Sequence, residues 1–225
     1  MGVFLAGVNA IADDTNITVA CSNYPPMYYE KNRQIQGNAY EIAKAVIEKA
    51  GLPATFTIMP WKRVYVTGQN EKNFMIVGVG RTARREEHFQ WICPINKGVK
   101  FYFIKLRSNP ISPKSLDEVK ASNIVVIRDS HMHEYLLDNG LPASQISDLP
   151  SRDQALEFLK AKRADFYLDN LDVIEPGSNE LEPILEAYTL VNYLTLSRST
   201  SPEIVQKLQE AYQALDADGK ITLME

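Results

Sequence analysis

The chain is poor in the residues from which many reactive sites are built. It has two cysteines, Cys21 and Cys93, and three histidines, His88, His131 and His133, in 225 residues. Two cysteines make neither a disulfide framework nor a zinc cluster. His131 and His133, with Glu134 beside them, have no cysteine cluster to complete a metal site. Each cysteine lies in or beside an apolar, strand-like run, which favours buried free thiols; a single disulfide is the alternative in an oxidising compartment. Charge of one sign is also scarce. Lys+Arg 24 against Asp+Glu 28 leaves a net charge of −4, which argues against the positive field of a general nucleic-acid binder. No apolar run approaches the ~20 residues needed to cross a bilayer. A Walker loop, a G-x-S-x-G elbow and an ordered Ser/His/Asp set are missing, as are internal repeats and low-complexity linkers. No cofactor is implied. The chain is 45% hydrophobic and 23% charged, ordinary values for a globular protein with a real core.

The stretch around which the rest is organised covers residues 74–91. It begins as the apolar run Phe74-Met75-Ile76-Val77, long enough for a buried strand and too short for a helix. Gly78 and Gly80 follow, where the backbone can approach another group without a Cβ between them. Arg81, Arg84 and Arg85 come next, around Thr82. Gly78-Val79-Gly80-Arg81-Thr82-Ala83 satisfies G-x-G-x-x-A, but the acidic residue that a dinucleotide site needs about 20 positions later is replaced by Lys97 and Lys100. A solvated basic turn neutralised by Glu86 and Glu87 is the plain alternative. The rest of the chain favours a third reading, a small-anion site, since arginine offers a planar fork of donors to a carboxylate or phosphate.

Elsewhere strands alternate with helices. Residues 17–21 read as a strand broken at Tyr24-Pro25-Pro26. Asn38 is expected to cap a helix, with Glu41 in the capping-box position and Gly51 closing it. A strand at 55–59, a short helix at 61–69 and a strand at 73–79 follow. Residues 100–106 are extended, 115–121 helical and 124–127 a buried strand. Ser130 caps a helix ended by Gly140, Ser151 with Gln154 opens another, and 164–168 is a strand running into Asp169-Asn170. Residues 191–196 return, and Ser201-Pro202 starts a last amphipathic helix. This alternation predicts an α/β fold with mainly parallel sheets flanked by helices, ligands lying beyond the carboxyl ends of the strands. Tyr24, Trp61 and the 78–85 segment all fall at that edge. The helix start at Ser130, next to Arg128, is a second anion-binding position. At the N-terminus, a short apolar core and Ala10-Ile11-Ala12 before Asp13 read as an incomplete export signal over residues 1–12.

Tyr24-Pro25-Pro26-Met27, the 38–51 helix, Pro60-Trp61-Lys62-Arg63, Gly80-Arg81-Thr82-Ala83-Arg84-Arg85-Glu86 and Trp91-Ile92-Cys93-Pro94 follow one another in an order that resembles the bacterial family-three extracellular solute-binding proteins. These are the amino-acid-binding type that serve ABC transporters. The resemblance runs from about residue 17 to about residue 223. It implies a two-lobed periplasmic-binding-protein-like fold in which the chain crosses twice between lobes and the solute lies in the cleft. Residues 13–96 with 190–225 would form lobe one and 97–189 lobe two. It also implies a periplasmic, monomeric protein whose partners are a small solute and a membrane permease, with no nucleic acid. Carried over position by position, Arg85 becomes the carboxylate clamp, Thr82 its neighbour in the same motif, Tyr24 the aromatic that stacks on the ligand and Ser130 the hydroxyl of lobe two. Gly78 and Gly80 stand where many relatives have serines and leave only backbone donors. The position that usually holds the solute's ammonium falls on Asn170, preceded by Asp169, and either could face the cleft. Enzymes of the same fold, such as cyclohexadienyl dehydratases, are the alternative; they would need a cleft carboxylate, Glu41 or Asp169.

Overall fold

The architecture is that of a computed structural model, in which residues 15–224 are described; the signal-like segment 1–12 lies outside the described residues. The first strand, β1 (Ile17–Cys21), is buried along almost its whole length. A tight loop around Tyr24 leads to a small hairpin, β2 (Tyr29–Lys31) and β3 (Gln34–Gln36). Helix α1 (Asn38–Ala50) buries Ala39, Ile42, Ala43, Val46 and Ile47, the spacing of one helix face, and ends at left-handed Gly51. Asn38 is not its N-cap. Gly37 holds that position with φ 127° and no side-chain cap, so Glu41 falls out of capping-box register. The reason is steric: a Cβ at residue 37 would lie 2.2 Å from the Met27 carbonyl oxygen.

β4 (Ala54–Ile58), α2 (Trp61–Asn70), β5 (Phe74–Gly80) and β6 (Phe89–Pro94) complete the first pass. The chain then leaves for β7 (Val99–Leu106), α3 (Leu116–Val119), β8 (Ile124–Ile127), α4 (His131–Asp138), β9 (Ile146–Leu149), α5 (Arg152–Lys160), β10 (Phe166–Asn170) and β11 (Leu181–Leu190). It returns through β12 (Asn192–Ser197) and ends in α6 (Pro202–Ala217). The strands form two five-stranded sheets, ordered β4-β1-β5-β12-β6 and β11-β7-β10-β8-β9. β1 runs parallel to β4 and β5, and β8 parallel to β9 and β10. The strands flanking the two crossings, β6, β7, β11 and β12, add antiparallel. The crossings lie side by side, tied by Ile95 N–H to Asn192 O at 2.9 Å and Asn192 N–H to Asn96 Oδ1 at 3.2 Å.

β6, β9 and β11 are not evident from the residue pattern. β11 is an edge strand with Pro183 and two irregularities of register, which blur the period-two signal. In the first sheet, α1 and α6 cover one face through Ile42, Val46, Ile204 and Leu208. In the second, α5 covers one face through Ala155 and Leu159. α2 packs on the first sheet and α4 on the second, and between the lobes Trp61, Val64 and Ile76 share one apolar cluster with Phe101, Met132 and Leu168. The lobes are therefore closed on each other, and the site lies at that junction.

Candidate functional site

Where β1, β5 and β10 end and α2 and α4 begin, a cavity of about 60 Å³ lies between the sheets, room for on the order of four waters. Of the residues expected at the site, Tyr24, Trp61, Gly78, Ser130 and Asn170 line it. Gly78 is the residue skipped in the pairing of β5 with β12 and has φ 91°. Such a bulge with positive φ suits glycine and brings bare backbone to the wall. Trp61, the first residue of α2, donates its indole N–H to Asp129 O at 3.0 Å, bridging the two lobes. Ser130 caps α4, its hydroxyl accepting from His133 N–H at 3.2 Å.

The expected cationic wall is arranged differently. Arg81 lies outside the cavity lining, paired with Glu86 at 2.9 Å and placed over Trp91 and Tyr193; the acid five residues on captures it in the same turn. Arg128 is likewise turned away, held by Asp148 at 3.0 Å. Gly80 offers no open backbone, because a Cβ there would meet Leu190 at 2.4 Å and His131 at 3.1 Å. Arg85 is fully buried. Its Nε lies 3.1 Å from both Glu134 oxygens, and its Nη2 donates to Glu134 at 2.8 Å and to Asp129 O at 3.4 Å. Its guanidinium sits 5.8 Å from the centre of the Trp61 ring and 5.0 Å from that of Tyr65. Its Nη1, and the hydroxyl of Thr82, are buried with no hydrogen-bond partner among the described residues.

Asp169 and Asn170 separate as neighbours in a strand must. Asn170 sits opposite Phe101 of β7, and both line the cavity. Asp169, opposite Tyr102, faces the other way and does not line it. Its Oδ1 accepts from Tyr24 OH at 2.6 Å and its Oδ2 from Arg152 Nε at 3.1 Å. Burial raises the Tyr24 phenol well above its ordinary range, with Arg152 pulling the other way.

Two contributors were not singled out as ligand-binding residues from the sequence. His131 lines the cavity, with its ring edge-on to Phe101 and its Nδ1 2.7 Å from Tyr188 OH. Burial first, and the Arg85 charge second, hold its imidazole neutral far below the usual histidine range. Arg152 reads in sequence as an ordinary polar residue of an amphipathic helix, and no local pattern marks it. Glu41, a candidate catalytic acid, is exposed on α1. Cys21 and Cys93 are buried free thiols.

Two sheet-and-helix lobes closed on an interlobe cavity define the periplasmic-binding-protein class. The chain belongs to the bacterial extracellular solute-binding proteins, family 3, whose sequence profile matches residues 17–225. Its role is thus that of a solute-binding protein. Among similar solved structures is a histidine kinase sensor domain with similarity to periplasmic binding proteins (TM-score 0.82, 19% identity, 92% of each chain covered). Another is the arginine-, lysine-, histidine-binding protein ArtJ of Geobacillus stearothermophilus (TM-score 0.81, 17% identity, 92% of each chain). A third is an amino acid ABC transporter substrate-binding protein of Streptococcus pneumoniae bound to L-arginine (TM-score 0.78, 20% identity, 94% of this chain and 92% of that one). At these identities the likeness shows the fold. No curated protein matches the chain significantly. No helix among the described residues is long and apolar enough to cross a membrane.

Proposed function

We propose that the protein captures a small carboxylate-bearing polar solute, an amino acid or a related compound, between its lobes outside the cytoplasm. As a monomer it then delivers the solute to the permease of an ABC transporter. The observation that carries this reading is the pair of unsatisfied donors, Arg85 Nη1 and Thr82 Oγ1, buried in the turn after β5. Leaving a buried donor unpaired costs about 1–3 kcal/mol, more for a charged group, and a carboxylate would satisfy both. Glu134 orients Arg85 through its other nitrogens and leaves Nη1 for a ligand. The proposed lobes, 13–96 with 190–225 and 97–189, are supported by the membership of the two sheets, with Leu190 the exception, since it ends β11 opposite Val99 in the second sheet. The rival reading, a cleft enzyme, is less well supported: Glu41 is exposed, and both oxygens of Asp169 are engaged.

The test is a thermal-shift screen against amino acids, organic acids and small peptides. A ligand at a hundred times its dissociation constant should stabilise the protein by about 2.7 kcal/mol. A screen in which only compounds lacking a carboxylate bind would overturn the reading, and turnover of prephenate or arogenate would replace it with catalysis.

A further inference from the structure

We infer that Arg152 is the built-in cation of this site. Its guanidinium lies outside the cavity lining, between Tyr24 and Asp169, where it takes the acceptors of Asp169 and Asn170 that a solute's amine would need, and so restricts the solute to carboxylates without a free amine. The inference rests on the reading of Arg85 as the carboxylate clamp and adds what meets the other end of the solute.

The surroundings of Arg152 are those of a bound guanidinium. The side chain is 8% exposed. Its Cζ lies 4.2 Å from the centre of the Tyr24 ring, within the range of a cation–π contact. Nε donates to Asp169 at 3.1 Å, Nη1 to Pro25 O at 2.7 Å and Nη2 to Asn170 Oδ1 at 2.7 Å. An aromatic face, a carboxylate and two neutral acceptors thus converge on one planar cation, with contributions from both lobes. Burial, the largest influence, works against its charge, and Asp169 together with Tyr24, Tyr167 and Asp172 outweighs it, so the guanidinium stays charged.

Its position in the helix runs against local electrostatics. Arg152 is the first residue of α5, capped by Ser151, where the helix dipole disfavours a cation. The tertiary partners, above all Asp169, hold it there.

The consequence for the solute follows from what remains unengaged. Asp169 Oδ2 is taken by Arg152, and Oδ1 by Tyr24 OH and by Asn170 N–H at 2.8 Å. Asn170 Oδ1 accepts from Arg152 and also from Asp172 N–H at 3.2 Å, and its amide nitrogen donates to Asp172 at 3.0 Å. Among the described residues no aspartate or glutamate lines the cavity, and His131, which does, is neutral. An ammonium in this space would be buried without a counter-charge, a heavy penalty. Arg85 Nη1 and Thr82 Oγ1, unpartnered among the described residues, do not line the cavity as it stands; on the proposed reading they are the donors that a carboxylate would meet.

Two measurements test this. Arg152→Ala opens a guanidinium-sized gap, and millimolar methylguanidinium chloride should raise its melting temperature saturably above a sodium chloride control of equal ionic strength. Wild type and the Arg152→Ala/Asp169→Asn double variant should not respond. Should Arg152→Ala not fold alone, methylguanidinium should restore its cooperative transition; absence of either form of rescue overturns the proposal. The second measurement compares, in wild type, matched carboxylates with and without the amine: propionate and L-alanine, glutarate and L-glutamate, 3-phenylpropionate and L-phenylalanine. The amine-free member should bind at least tenfold tighter in any pair that binds, and equal or tighter binding of the amino acid overturns the proposal. Rescue by methylguanidinium with no carboxylate bound to wild type upholds Arg152 as the site's cation and instead removes the reading of Arg85.

Discussion

Arg85 and Glu134 meet across the closed lobes, the guanidinium fully buried and the carboxylate 23% exposed, with Nη2 2.8 Å from Glu134 Oε1. The pair uses one edge of the fork and leaves Nη1 without a partner among the described residues. A buried arginine satisfied on one side only is suited to hold a carboxylate and to join the lobes by the same group.

Arg85→Ala should therefore weaken binding of whichever carboxylate the screen identifies by well over tenfold, since truncating one partner of a buried charge pair costs ~2–5 kcal/mol. Arg84 pairs with Asp138 at the surface, where ion pairs are worth ~0–1 kcal/mol. Arg84→Ala should change affinity by less than a few-fold. Equal losses in calorimetry would sink the assignment of the clamp.

His131 gives a pH signature. The folded protein keeps it neutral well below its usual range, whereas an unfolded histidine protonates near ~6.5. As pH falls below that value the unfolded chain takes up a proton that the folded one refuses. Stability then declines by at most about 1.4 kcal/mol per pH unit; above about pH 7.5 the contribution is flat. Urea unfolding at pH 7.5, 6.5 and 5.5 should show a shallower decline for His131→Phe than for wild type. Parallel declines would place the titration elsewhere.

Packing of α2 on β5 has a steric signature. A Cβ on Gly68 would lie 2.4 Å from Ile76 Cδ1, so Gly68→Ala should destabilise by ~1–3 kcal/mol through overpacking. In an Ile76→Ala background the same change should cost little, because the clashing atoms are gone. Additive costs in a double-mutant cycle by urea unfolding would contradict this contact.

The two thiols should be inert in the folded state. Burial pushes Cys21 up to about 12 and Cys93 higher still, which removes the reactive thiolate. Ellman's reagent should label neither cysteine in native protein and both in urea. Rapid native labelling would show that the first sheet opens locally.

Much of the scaffold was legible because its signals are local. Ser130, Ser151 and Ser201 each cap the helix that follows, Gly51 ends α1 in a left-handed turn, and the apolar faces of α1 and α6 lie at helical spacing. The order of motifs from Tyr24 to Pro94 carried the family. Asn38 was read one residue late because the true cap depends on how closely the loop at Met27 approaches Gly37, a contact between segments that no spacing rule contains.

The site divides along the same line. Strand ends and helix starts, which the sequence determines locally, brought Tyr24, Trp61, Gly78, Ser130 and Asn170 to one cavity. Which charges face that cavity depends on distant partners. Glu134 lies 49 positions from Arg85 and takes two of its nitrogens; Asp148 draws Arg128 outward from 20 positions away. Asp169 is turned from the cavity toward Arg152, which also reaches across 127 positions to Pro25. Charge type and helix register are written in the residues themselves. The pairing of buried charges is decided only when folding removes water and leaves each charge the nearest partner that can replace it.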